Sequence, residues 1–281
     1  AHCQGPLVGL RELLNRLLSS QRALGARLFI YEKCGRWTVV QDDEGFLSET
    51  VVVAAPDAAG ARGDECSAYL RHITDRYDAL ANFTVFLQSD PEQHANWDYL
   101  ELVLRSIGTG AYAVPFLSFN AVMHRKNPLH CLQGVHRKVF GSNFTEAPRP
   151  YCCAQFVVSR NAILLHTRPF FLRMLGLANG TESVRDVCRA RDSEGRSPSC
   201  LAFEHLWHMV FGEVPDPGPH EGDQRLPVAL QWEQSHEGTL TMRPHPALED
   251  KCTVNAGEPE QSWRGQCGVK RASNDGIRRH V

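Results

Sequence analysis

Phe83-Thr84-Val85-Phe86-Leu87-Gln88 is the run of highest β-propensity in the chain, and Ser89-Asp90-Pro91 ends it at once. Its flanks decide the fold class. Upstream, Cys66, Tyr69, Ile73, Tyr77 and Leu80 recur at helical spacing and predict a helix over about 64–80. Downstream, Trp97, Leu100, Leu104 and Ile107 predict another. A strand between two amphipathic helices is the unit of an α/β protein.

The same alternation extends outward. Leu7, Leu10, Leu14 and Leu17 predict a helix over about 7–24, stopped by Gly25. Short apolar runs predict strands at Arg27–Tyr31, Thr50–Ala54, Val114–Phe119 and Ala154–Ser159. The last of these passes into a helix near Asn161, which Pro169 restarts, and a final helix is expected over about 201–211. Residues 120–150, rich in His, Asn, Pro and Gly, read as a long excursion, and 179–200 as a polar loop. Helices packed on a mainly parallel sheet follow. In such sheets ligands bind beyond the carboxyl ends of the strands, which puts Gln88-Ser89-Asp90 and Ser159-Arg160 on the functional edge. Beyond Gly212 the chain is dense in Pro, Gly and charge. The expected organisation is an α/β domain over 1–212 and an irregular, disulfide-stapled extension over 213–281.

Composition narrows the classes of function. At 281 residues and 42% hydrophobic the chain can bury an ordinary core, while a net charge of −2 offers no basic surface for a nucleic-acid partner. No run approaches the roughly 18–20 apolar residues of a membrane span. The ten cysteines (Cys3, Cys34, Cys66, Cys131, Cys152, Cys153, Cys188, Cys200, Cys252 and Cys267) include no C-x-x-C pair. They read as disulfides formed in an oxidising compartment, in pairings that spacing leaves open, with the adjacent Cys152 and Cys153 expected to have different partners. Three sequons, at Asn82, Asn143 and Asn179, point the same way. The prediction is an N-glycosylated protein, secreted or in the lumen of the secretory pathway. Ala1 opens no signal peptide, so the chain is read as a mature form whose targeting segment has been removed.

Three constellations could bear chemistry. Asp90, just past a buried strand, with His94 four residues on, could hold a divalent cation that neutralises a diphosphate leaving group. The plain alternative is that Asp90 caps the next turn. Glu204 and His208 lie four apart on one helical face, the spacing of a metal or acid–base pair, and equally of an ordinary surface contact. Glu65, with Tyr69 and His72, stands at the start of a helix, where a carboxylate is favoured by the dipole alone.

Taken in order, Gly63-Asp64-Glu65, Tyr69-Leu70-Arg71-His72-Ile73, Thr84–Gln88, Ala154–Arg160 and Glu204-His205-Leu206-Trp207-His208 with Phe211-Gly212 resemble the family called domain of unknown function 3431, over about residues 26–212. That family has no settled activity. Its layout is similar to glycosyltransferases of the GT-A (Rossmann-like) type, in which an acidic motif after a central strand binds metal and nucleotide sugar. The resemblance implies Asp90 in the metal position and Glu204 as base or acceptor contact. With the constellations above, the candidates are Asp90, His94 and His208 as metal ligands, Glu204 and Glu65 as catalytic groups, and manganese or magnesium as cofactor. A nucleotide sugar and a glycan or protein acceptor would be its partners. Two departures stand against it. Gln88-Ser89-Asp90 keeps only the last carboxylate of the acidic motif, and the chain opens on a helix where a GT-A domain places a strand. The alternative is a catalytically silent extracellular glycoprotein, a scaffold or binding subunit in a larger protein assembly.

Overall fold

The run at Phe83 forms a strand whose partner is the apolar run at Phe156, and the core assembles around this pair. The computed structural model of the chain describes residues 26–33, 49–56, 64–88, 97–108, 110, 112–120, 132–151, 153–180, 198–217, 232–234 and 240–242. In order the elements are β1 (Arg27–Glu32), β2 (Glu49–Ala54), α1 (Asp64–Arg76) with a 3₁₀ turn (Tyr77–Ala79), β3 (Phe83–Phe86) and α2 (Trp97–Gly108). There follow β4 (Phe116–Ser118), α3 (Leu132–Phe140), β5 (Phe156–Ser159), α4 (Arg160–Ile163), α5 (Arg168–Ala178), α6 (Pro198–Glu204), α7 (Trp207–Val210), β6 (Trp232–Gln234) and β7 (Leu240–Met242). The helix expected over 7–24 lies outside the described residues.

The chain is a mixed α/β protein, but the mainly parallel sheet is corrected. β1 and β2 pair in parallel, from Arg27 opposite Glu49 to Glu32 opposite Ala54. The three-stranded sheet runs β3-β5-β4, with β5 central and antiparallel to both neighbours. Phe156, Val157 and Val158 are all buried. A strand buried on both faces reads as a continuous apolar run whichever way its neighbours point, so pattern cannot give its direction. The return into β5 includes α3, inside the expected excursion, which buries Leu132, Val135, His136 and Val139.

Antiparallel pairing also moves Ser159-Arg160 away from the expected edge. Phe83 faces Ser159 and Phe86 faces Phe156, so β5 ends beside the start of β3. The Ser159 hydroxyl is used by the fold: it accepts a hydrogen bond from Ala162 N at 3.1 Å and caps α4. Pro169 opens α5 as expected, its missing N–H costing nothing in the first turn.

Aromatic rings fill the space between sheet and helices. Phe156 lies at the centre, its ring 5.3 Å from Phe86, 5.2 Å from Phe116, 5.6 Å from Trp207 and 5.5 Å from Phe211. Each such side chain stabilises the fold by about 1.5–3 kcal/mol on burial. Residues just past 212 pack back onto the domain: Arg149 Nη1 lies 2.7 Å from Asp216 Oδ2, and Arg149 N donates to the Pro215 carbonyl. Among the described residues no helix is long and apolar enough to cross a membrane.

Candidate functional site

Gln88 leaves β3 and Gln155 enters β5. Because Phe86 pairs with Phe156, the two glutamines meet at one end of the sheet. Gln88 N donates to Gln155 Oε1 at 3.4 Å, and Gln88 Nε2 donates to Glu65 Oε1 at 3.1 Å. Gln155 is fully buried, and its carbonyl accepts from Phe119 N at 2.8 Å. The turn that delivers it is strained. Cys153 (φ +76°) and Ala154 (φ +41°) both occupy left-handed backbone, where a side chain costs about 1–2 kcal/mol each. Cys153 is disulfide-bonded.

Glu65 lies in the first turn of α1, where the helix dipole favours a carboxylate. The next residue, Cys66, is bonded to Cys200 of α6, with Cα atoms 5.6 Å apart. Four residues beyond Cys200, Glu204 ends α6. The disulfide thus draws together the two helices that bear the predicted carboxylates. Tyr69 lies between their charges. Its ring is buried against Phe86 at 4.8 Å and Phe156 at 5.9 Å, and its hydroxyl is buried without a hydrogen-bond partner. Burial first, and then the charges of Glu65 and Glu204, push the phenol well above its ordinary value. The hydroxyl therefore stays protonated.

Residues 111–224 match the family model described as protein of unknown function (DUF3431). The match takes in the Gln155 and Glu204 side of the site; Glu65, Tyr69 and Gln88 precede it. No curated protein and no solved structure matches the chain.

The remaining predicted residues fall out as follows. Asp90 and His94 lie outside the described residues, two and six positions after Gln88. Glu204 and His208 do not share a regular helical face. After Glu204 the backbone tightens, with His205 N bonded to the Ala202 carbonyl and Leu206 N to the Phe203 carbonyl, before α7 begins. That turn brings Trp207 under the core and buries His208, whose Nε2 donates to the Pro215 carbonyl at 3.0 Å. His208 joins no group of three or more ligand-type side chains among the described residues. His72 turns away from Glu65, its Nδ1 lying 3.1 Å from the Tyr31 hydroxyl.

Of the predicted disulfide cysteines, Cys66, Cys153 and Cys200 are described and all are bonded; Cys3, Cys34, Cys131, Cys152, Cys188, Cys252 and Cys267 lie outside the described residues. Asn82 and Asn143 are exposed, the latter accepting from Arg137 Nε at 2.8 Å, and Asn179 is half-buried at the end of α5. Sequence reasoning missed Gln155. A glutamine opening an apolar strand was its signal, since a buried amide must find partners.

Proposed function

We propose that the chain is a sugar-transfer domain of the secretory pathway, with a nucleotide sugar as donor and a glycan or protein hydroxyl as acceptor. The observation that carries the reading is the Cys66–Cys200 link between the helices bearing Glu65 and Glu204, with Glu65 held by Gln88 just past β3. The order of elements and the Gln88-Ser89-Asp90 sequence after β3 are what favour a GT-A-like layout, against the antiparallel pairing of β3, β5 and β4. The disulfides at Cys66, Cys153 and Cys200 support an oxidising compartment and, with the three sequons, a glycoprotein.

Glu65 offers a hard oxygen donor of the kind manganese and magnesium accept, and Asp90, two residues after Gln88 in sequence, is the further carboxylate of that type. When bound, that cation would neutralise charge on the departing diphosphate. The protein's own residues do the rest. Glu204 takes the proton of the acceptor hydroxyl as its oxygen bonds to the anomeric carbon. The bond from that carbon to the diphosphate oxygen breaks, and the diphosphate leaves with the electron pair. Gln88 acts as the donor that orients Glu65.

A second reading, a catalytically silent scaffold, is favoured by the hydrogen bond that already occupies Glu65 and by the disulfide that fixes α1 to α6. Thermal shift with a panel of nucleotide sugars, with and without manganese, separates the two. A manganese-dependent rise in midpoint, lost in Asp90→Ala and Glu204→Gln, is expected of the transferase. No shift with any donor would leave the scaffold reading in its place.

A further inference from the structure

A cavity of about 730 Å³ lies between β1, α1, β3 and the end of α2; Tyr69 forms part of its wall, and neither Glu65 nor Glu204 lines it. Its volume falls within the roughly 300–1,000 Å³ of small-molecule sites. Among the described residues the lining is mainly aromatic and aliphatic, with Asn82 and Thr84, and its charged members are Arg27 and Arg76. Both guanidinium groups lie over one ring, that of Phe29, at 5.8 and 4.6 Å. Neither is ion-paired with a described carboxylate. The nearby Asp75 is engaged by Arg71 Nε at 3.4 Å.

Two positive charges beside a mainly apolar chamber, neither paired with a described carboxylate, bias it toward an anion. His72 registers those charges. Burial first, then the charges of Arg76 and Arg27, lower it to about 4 against a smaller opposing effect of Asp75, so the imidazole is neutral at physiological pH. It is held by the Tyr31 hydroxyl at 3.1 Å and adds no charge of its own. Tyr112 forms another wall, and its hydroxyl is buried without a hydrogen-bond partner.

We infer that this cavity binds a small organic anion with an apolar or aromatic body, its acidic group held by Arg27 and Arg76 and its body lodged against Phe29, Phe83 and Tyr112. A guanidinium already stacked on a ring is pre-oriented to meet such an anion, and charge-assisted hydrogen bonds to it are the strong ones. The inference does not depend on sugar transfer.

Two fluorescent probes of nearly the same skeleton test it on the full chain: anilinonaphthalenesulfonate, which is anionic, and phenylnaphthylamine, which is neutral. The sulfonate is expected to bind saturably with one equivalent per chain. Arg27→Gln with Arg76→Gln should weaken it by roughly tenfold or more and leave the neutral probe unchanged. Salt makes the same distinction on the unaltered protein, weakening the sulfonate alone. Ile107→Trp fills the chamber and should weaken both probes. Non-saturable binding, or sulfonate binding that neither salt nor loss of the arginines changes, would overturn the inference.

Discussion

Cys66 in α1 and Cys200 in α6 are joined across 134 residues of sequence, and Cys66 N also approaches Cys200 Sγ at 3.3 Å. A crosslink closing so long a loop removes much of the freedom of the unfolded chain, and its loss is expected to cost about 2–5 kcal/mol. Cys66→Ala with Cys200→Ala should therefore lower the urea midpoint markedly. It should also release Glu65 from Glu204, so any nucleotide-sugar shift would fall with it. An unchanged midpoint would mean that packing of Tyr69, Ile73 and Phe203 holds these helices by itself.

Tyr69→Phe separates chemistry from packing. The hydroxyl is buried and unpartnered, so it brings a desolvation cost with little return. Its removal should leave stability equal to wild type or raise it by up to about 1–2 kcal/mol. If the hydroxyl orients Glu65 and Glu204, the same variant should lose the donor-induced thermal shift. A fall in stability on denaturant unfolding would instead show that the hydroxyl has a partner in solution.

Periodicity placed most of the described elements because the residues that decide them are local. Phe83–Phe86 and Asp64–Arg76 declare themselves through β-propensity and helical spacing. Strand direction is a non-local property, and Phe156-Val157-Val158, buried on both faces, has nothing in its side chains to record it. The break between Glu204 and His208 was equally hidden. Their spacing fits a continuous helix, and the demand of Trp207 for the core overrides it. Glu65 and Glu204 were visible as chemical types, but their meeting depends on a Cys66–Cys200 pairing that spacing left open.

Gly212 should resist substitution for reasons of backbone alone. Its φ is +91°, and a Cβ there would come within 2.8 Å of Leu165 Cδ1. The leucine tip is 62% exposed and can move aside, so the clash is minor. The left-handed backbone is not negotiable, and Gly212→Ala should cost about 1–2 kcal/mol by denaturant unfolding. Leu165→Ala combined with it should recover little. A full recovery would show that the contact, not the dihedral, sets the cost.

Two buried histidines make stability depend on acid. His72 is lowered to about 4 by burial, Arg76 and Arg27, and His208 to about 4 by burial against smaller opposing effects from the Pro215 carbonyl and Asp216. Unfolded, both would take up protons near their ordinary value of about 6.5. Between about 6.5 and 4 the unfolded chain therefore binds more protons than the folded one, and stability rises with pH across that window. The stabilisation is complete above 6.5 and is lost as pH falls through 4. At about 1.4 kcal/mol per unit, each histidine contributes up to about 3 kcal/mol. Thermal midpoints measured from pH 7 to 4 should fall steeply, and His72→Gln with His208→Gln, whatever its own stability, should flatten that part of the profile. A slope unchanged in the double variant would assign the acid sensitivity to other groups and return both imidazoles to ordinary exchange with solvent.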